Sequence, residues 1–257
     1  MNKEEKRPLI LISNDDGIDA PGIRSLVDFV SDMGEVWVVA PSTVQSGKGH
    51  AITLDGIIKV EKATPRNGSV VEYRCAGTPA DCVKIAKNSL LPRVPDICLS
   101  GINHGSNAAI NVIYSGTMAA AIEAGVEGIP AIGFSLCDLD WDAPMGHLRE
   151  YIRLITHTAL EKGLPAHTVL NVNFPTGEIK GMKVCRQAAT RWEKEFEKRK
   201  NPRGGDYYWM VGHPICLEEN GEDTDHWALS HGYVSIVPTT YDLTAHSSMS
   251  VIEKWEL

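Results

Sequence analysis

Residues Leu9-Ile10-Leu11-Ile12 form an unbroken run of large aliphatic side chains that stops abruptly at Ser13-Asn14-Asp15-Asp16-Gly17. A short apolar run with no polar alternation, in a chain that alternates strand and helix patterns, reads as a strand buried on both faces, as in a parallel sheet covered by helices. Open sheets of that kind bind ligands outside the carboxyl ends of their strands. Two neighbouring carboxylates therefore stand at a ligand-binding edge. They repel one another unless something positive lies beside them, and a hard cation such as Mg2+ or Mn2+ suits such oxygen donors. Asn-Asp-Gly is also a favoured tight-turn sequence, so the residues alone leave a turn and a metal site both open.

The rest of the chain supplies the alternation. Pro21-Gly22 precedes Ile23, Leu26, Val27 and Val30 at helical spacing, and the helix ends near Gly34. Val36 to Ala40 is a second buried strand, completing a right-handed βαβ unit. Pro41 to His50 is a polar loop, followed by an irregular β-like stretch from about Ile52 to Tyr73 with a turn at Pro65-Arg66-Asn67-Gly68. Thr78 as N-cap, Pro79 at the first helical position and Asp81 in the first turn predict a helix through Leu90. Strands are expected at Asp96–Ser100, Pro130–Phe134 and Val169–Asn173, and helices at Gly116–Glu127 and Leu148–Leu160. The expectation is an α/β fold, a doubly wound and mainly parallel sheet over residues 1–180. The charged run Arg191–Lys200, the loop Asn201–Gly205 and the aromatic strand Tyr207–Val211 mark residues 181–257 as a β-rich extension that packs on a partner subunit.

A net charge of −8 over 257 residues argues against broad binding to nucleic acid or to an anionic membrane, both of which need basic patches. No stretch is apolar and long enough to cross a bilayer. Six cysteines without a CxxC pair read as reduced, buried thiols of a cytoplasmic protein, with neither a zinc site nor a disulfide framework.

Three further loops carry groups of interest. Gln45-Ser46-Gly47-Lys48-Gly49-His50 offers a hydroxyl and backbone N–H groups to a phosphate, or is a surface loop. Ser100-Gly101-Ile102-Asn103-His104-Gly105-Ser106-Asn107 follows a core strand, and Asn103 is either a neutral oxygen ligand for a hard cation or a turn residue. Ser115-Gly116-Thr117 opens a helix of small residues, where an anion or a plain cap would sit. A glycine fingerprint for dinucleotides is absent after the first strand, as is a Gly-x-Ser-x-Gly elbow.

Taken with Gly77-Thr78-Pro79-Ala80-Asp81-Cys82-Val83, Asn201-Pro202-Arg203-Gly204, Tyr207-Tyr208-Trp209, Gly232-Tyr233-Val234-Ser235-Ile236 and Asp242-Leu243-Thr244, these segments strongly resemble the survival protein SurE family over nearly the whole chain. The resemblance implies a Rossmann-like fold whose C-terminal extension is exchanged between subunits of a homodimer or homotetramer. It implies a metal-dependent phosphatase acting on nucleoside 5′- and 3′-monophosphates, and on short polyphosphate in some members. It further implies that Asp15, Asp16, Ser46 and Asn103 hold one divalent ion per subunit, Mg2+ or Mn2+.

On that footing Asp15 and Asp16 are the expected catalytic carboxylates, Asp15 orienting or deprotonating the attacking water or an aspartate attacking phosphorus directly. Asn14, Asn107, Ser115, Gly116 and Thr117 are the expected phosphate contacts. A nucleotide-binding regulatory module without turnover would share the sheet and its anion-binding loops. Release of phosphate from AMP or GMP with Mn2+ separates the two.

Overall fold

The alternation of side chains along a strand decides how this chain is layered. In the computed structural model, which describes residues 7–64, 70–218 and 221–255, all five residues of β1 (Leu9–Ser13) are buried. It is followed by α1 (Pro21–Val30), β2 (Glu35–Pro41), β3 (Val60–Lys62), β4 (Val71–Cys75) and α2 (Pro79–Ile85), which continues as a π-helical turn over Ala86–Leu90. Next come β5 (Ile97–His104), α3 (Gly116–Val126), β6 (Ala131–Leu136), α4 (Arg149–Lys162) and β7 (Thr168–Phe174). The C-terminal third holds β8 (Gly181–Val184), β9 (Thr190–Glu193), β10 (Phe196–Lys200), β11 (Asp206–Met210), β12 (His213–Cys216), α5 (Asp225–Ser230), β13 (Tyr233–Thr240) and α6 (His246–Ile252).

Nine strands form one sheet in the order β3-β4-β2-β1-β5-β6-β7-β13-β8. All neighbours are parallel except β3 with β4 and β13 with β7. Ile10 and Ile12 face a core shared with α1 and α4, through Ile23, Leu26, Ile152 and Ile155. Leu11 faces the opposite core, built on α2 and α3 through Cys82, Val83, Ala120 and Ala124. The sheet is thus doubly wound, as expected from the uninterrupted apolar strands.

The chain runs from β1 outward to β2 on one side, and β5 lies on the other. The point where strand order reverses is therefore at the carboxyl end of β1, where α/β folds open their ligand crevice. The first turn after it needs Gly17 at φ +97°, a conformation that side-chain-bearing residues avoid.

Several expected elements differ in detail. β5 runs on to His104, four residues past Ser100, with a register shift against β6 between Ser100 and Asn103. The N-cap at Thr78 is a full capping box: its hydroxyl accepts from Asp81 N–H, and the Asp81 carboxylate accepts from Thr78 N–H. The expected turn at Pro65–Gly68 lies outside the described residues. Beyond residue 180, β8 and β13 join the main sheet. The part that stands apart is a bent antiparallel ribbon in which β9 pairs with β12 and β10 with β11.

Gly22 fixes how closely α1 lies on the site-bearing strand, because a Cβ there would meet the carbonyl oxygen of Ile102 at 1.9 Å. Backbone cannot give as a flexible side chain can. Gly22→Ala should destabilise the chain by about 2–3 kcal/mol, at the upper end of overpacking costs, read as a lower urea midpoint at unchanged slope. A midpoint equal to wild type would show that α1 is free to lift away.

Candidate active site

Four loops meet at the switch point, and main-chain hydrogen bonds stitch them together. Gln45 N–H donates to the Asp15 carbonyl at 2.7 Å, and Gly49 N–H to the Tyr114 carbonyl at 3.1 Å. The Ser-Gly loop after β2 is thereby tied both to the end of β1 and to the segment before α3. Its Ser46 hydroxyl lies 3.4 Å from Asp16 Oδ1. Asp15, Ser46, Asn103, Asn107 and Ser115 line one cleft of about 750 Å3, a volume that suits a nucleotide-sized ligand.

Asp15 is 3 % exposed. The Thr117 hydroxyl donates to its Oδ1 at 2.5 Å. The helix start comes this close because residue 116 is glycine: a Cβ there would lie 2.6 Å from Asp15 Cβ. Burial pushes the Asp15 carboxyl up to about 6. The Thr117 hydrogen bond works against that rise, and repulsion from Asp16 adds to it. So the chain holds Asp15 by a neutral donor that compensates only part of its charge.

The other expected residues are placed as follows. Asn103 donates through Nδ2 to the carbonyls of His104 and Gly105, at 3.2 and 2.8 Å. Those bonds fix the amide, and its acceptor oxygen is not used by them. Ser115 caps α3, its hydroxyl accepting from Met118 N–H at 3.0 Å. Asn107 sits in a buried amide network. Its N–H donates to Asn173 Oδ1 and its Nδ2 to Ser135 Oγ, while Asn171 Nδ2 donates to its carbonyl, each at 2.8 Å. Asn14 is fully buried and closes its own turn by donating to the Gly17 carbonyl at 2.9 Å. Thr117 is likewise buried, with its hydroxyl on Asp15, so only its main chain and that of Gly116 face the question of anion binding.

Two groups of interest carried no assignment from sequence. One is His104, directly behind Asp16. The other is Asp225, whose buried carboxylate accepts from Ala109 N–H at 2.8 Å and from Ala188 N–H at 2.9 Å. It locks the loop carrying Asn107 to the root of the C-terminal ribbon. Its only sequence signal is a position in the first turn of a short helix capped by Thr224. Trp192, Met210 and Val211 of the ribbon form the outer wall of the cleft, and Trp192 Nε1 donates to Asn111 Oδ1 at 3.0 Å.

The donors at the site suit a hard cation. All are oxygens: the Asp15 carboxylate, the Ser46 hydroxyl and the Asn103 amide line the cleft, and the Asp16 carboxylate lies beside Ser46 without lining it. Asp16 Oδ2 is buried without a hydrogen-bond partner among the described residues, and the Asp15 carboxylate is only partly compensated. The partly compensated Asp15 charge is a sign that a positive group belongs here. Among the described residues no cluster of three or more His, Cys, Asp or Glu side chains could hold a metal. An ion here would depend on the aspartate pair plus Ser46, Asn103 and water, the sparse protein coordination that Mg2+ tolerates. All six cysteines are free thiols, and no helix among the described residues is long and apolar enough to cross a membrane.

Residues 10–194 match the family model described as Survival protein SurE. The chain is 54 % identical over 254 residues to the 5′-nucleotidase SurE of Flavobacterium psychrophilum, covering 98 % of each. It is 56 % identical over 261 residues to the 5′-nucleotidase SurE of Christiangramia forsetii, covering 100 % of this chain and 99 % of that one. Among solved structures it is similar to the SurE protein from Aquifex aeolicus, with a TM-score of 0.82 at 36 % identity over 96 % of this chain and 98 % of the other.

Two changes probe this geometry. A carboxyl whose folded-state value lies above its unfolded one favours folding below the unfolded value, and that contribution is lost as pH rises through the folded one. For Asp15 the window runs from the ordinary 3.8 to about 6. In chelator, Asp15→Asn should therefore gain on wild type between pH 4 and pH 7 by on the order of 2–3 kcal/mol, measured by urea unfolding. A flat difference across that range would show that Asp15 is charged throughout. Asp225→Ala should cost about 2–4 kcal/mol, since buried N–H donors lose their acceptor. It should also raise KM more than it lowers kcat, and a change in stability alone would separate Asp225 from the site.

Proposed function

Because the chain belongs to the survival protein SurE family, we propose that it is a phosphoric monoester hydrolase acting on nucleoside 5′-monophosphates, with 3′-monophosphates and short polyphosphate as further substrates. The observation that carries this reading is the meeting of Asp15, Ser46, Asn103, Asn107 and Ser115 in one cleft at the switch point of the sheet. The names of the relatives support the substrate class.

Asp15, Asp16, Ser46 and Asn103 would hold one divalent ion per subunit, Mg2+ or Mn2+, which when bound would supply positive charge to offset that of the phosphoryl group. The protein's own groups do the remaining work. Ser115 and the first N–H groups of α3, at Gly116 and Thr117, grip the phosphate through the helix terminus. Asn107 donates from a main chain immobilised by Asn171 and Asn173, and Asn14 holds the aspartate turn in shape. Asp15 takes a proton from the attacking water. The nucleoside lies against Trp192 and Tyr114 on the outer wall, where aromatic faces stack on bases of any sequence.

The ribbon is the proposed subunit contact. Phe196, Tyr208, Trp209 and Met210 are exposed on it, a larger apolar display than a lone monomer carries, and a homodimer or homotetramer would cover it. The free thiols suit the cytoplasm.

A screen of phosphate esters against several divalent ions tests the activity. Phosphate should be released from AMP or GMP with Mg2+ or Mn2+, and exhaustive chelation should stop it. Asp16→Asn should lower kcat/KM by at least about a hundredfold, the scale of losing one charge-stabilising group, with the fold intact by circular dichroism. In H2 18O the label should enter phosphate and leave the aspartates unlabelled. Binding of AMP without any phosphate release would mean a nucleotide-binding module instead.

A further inference from the structure

We propose that His104 is a positioning residue that orients Asp16 by holding one carboxylate oxygen, leaving the other, beside Ser46, for the ion. It rests on the reading of Asp16 as an ion ligand. The His104 side chain is 5 % exposed, and neither ring nitrogen has a hydrogen-bond partner among the described residues. Burying an imidazole with both nitrogens unpaired is costly, so the orphan demands a partner. The nearest buried polar atom to offer one is itself orphaned: Asp16 Oδ2 lies 3.6 Å from His104 Nδ1.

The Asp16 carboxylate is thus divided by its surroundings. Oδ1 faces the Ser46 hydroxyl, at 3.4 Å, while Oδ2 faces the imidazole. The ring cannot easily turn away, since Trp141 stacks on it with centroids 4.9 Å apart and an interplanar angle of 26°. The strand geometry supplies the placement. The register of β5 shifts between Ser100 and Asn103, and the strand ends with Asn103 and His104 both lining the cleft. A bulge beside a site is a common device for re-aiming side chains.

An approach of less than about 1 Å turns the 3.6 Å separation into an ordinary N–H···O bond. A neutral imidazole with its proton on Nδ1 is sufficient, so no change of charge is required. Ligating carboxylates are routinely held by such outer hydrogen bonds, whose loss costs about 10–100-fold in metal affinity. The position of Nδ1 beside Oδ2, rather than beside the oxygen near Ser46, argues for this outer role over direct coordination.

The test is Mn2+ binding to the full chain, by isothermal titration, for wild type, His104→Phe and His104→Asn. Phe keeps a ring against Trp141 but donates nothing, and Asn restores a donor close to the Nδ1 position. His104→Phe should weaken Mn2+ by about 10–100-fold, and His104→Asn should recover most of it. AMP turnover by His104→Phe should fall at limiting Mn2+ and recover as Mn2+ is raised. Should Phe not fold, His104→Leu replaces it as the variant without a donor: a loss of about 10-fold or more that His104→Asn recovers supports the inference, and affinity equal to wild type overturns it. Equal Mn2+ affinity in wild type and His104→Phe overturns the proposal. So does a nitrogen coupling in the electron spin echo of bound Mn2+, which would put the imidazole in the inner sphere. A wild-type chain that takes up no Mn2+ would remove the ion reading and this inference with it.

Discussion

Two adjacent carboxylates at the end of a fully buried strand are an expense that folding alone would not select. Asp15 is held by a hydroxyl rather than by a cation, and its elevated proton affinity records the shortfall. Everything around it is arranged to bring groups close without neutralising it. Gly116 lets the start of α3 touch its Cβ, Gln45 fastens the serine loop to its carbonyl, and Gly17 takes the chain out of the way at positive φ. Local rules of stability are broken here, the pattern expected of a functional site.

The sheet explains why these groups meet. β1 lies between β2 and β5, and connections from β1 and β5 leave it in opposite directions. The crevice between them is where loops from distant parts of the chain can converge without crossing. β6 and β7 extend the same edge, and their Ser135 and Asn173, paired in register, reach back to hold Asn107. The rigid parallel strands therefore fix the reacting groups through their ends, while the amide network fixes the loop that no strand carries.

Much of this was legible in the chain. Buried strands declare themselves by continuous apolar runs, and the residues that end them are by construction at the ligand edge, which is why Asp15, Asp16 and Asn103 stood out. The N-cap at Thr78 was readable from local spacing alone, whereas the reciprocal bond from Thr78 N–H to Asp81 was not. Long-range facts were not. That Thr117 spends its hydroxyl on Asp15, 102 residues away, has no local signature. Nor has the insertion of β13 between β7 and β8, or the tie from Asp225 to Ala109 across 116 residues. A single histidine in a polar loop, such as His104, carries no local signal. Only its burial and its unpaired nitrogens mark it out.

The cleft is built from two kinds of structure, and that division has a consequence for specificity. Its floor belongs to the parallel sheet and the start of α3, where Asp15 and Ser115 are buried, together with the exposed Ser46 loop that main-chain hydrogen bonds tie to them. Its outer wall belongs to the ribbon, whose Trp192 is pinned to Asn111 but whose hairpin β10–β11 is exposed along its length. Chemistry needs positions held to fractions of an ångström, and the floor can supply that. Under the proposed function, recognition of a nucleoside needs area and stacking more than exact placement, and the ribbon offers the area through Trp192 and Met210. Changes in the ribbon can therefore retune which ester is accepted without disturbing the aspartate pair, so that substrate range and reaction type are free to vary independently in this fold.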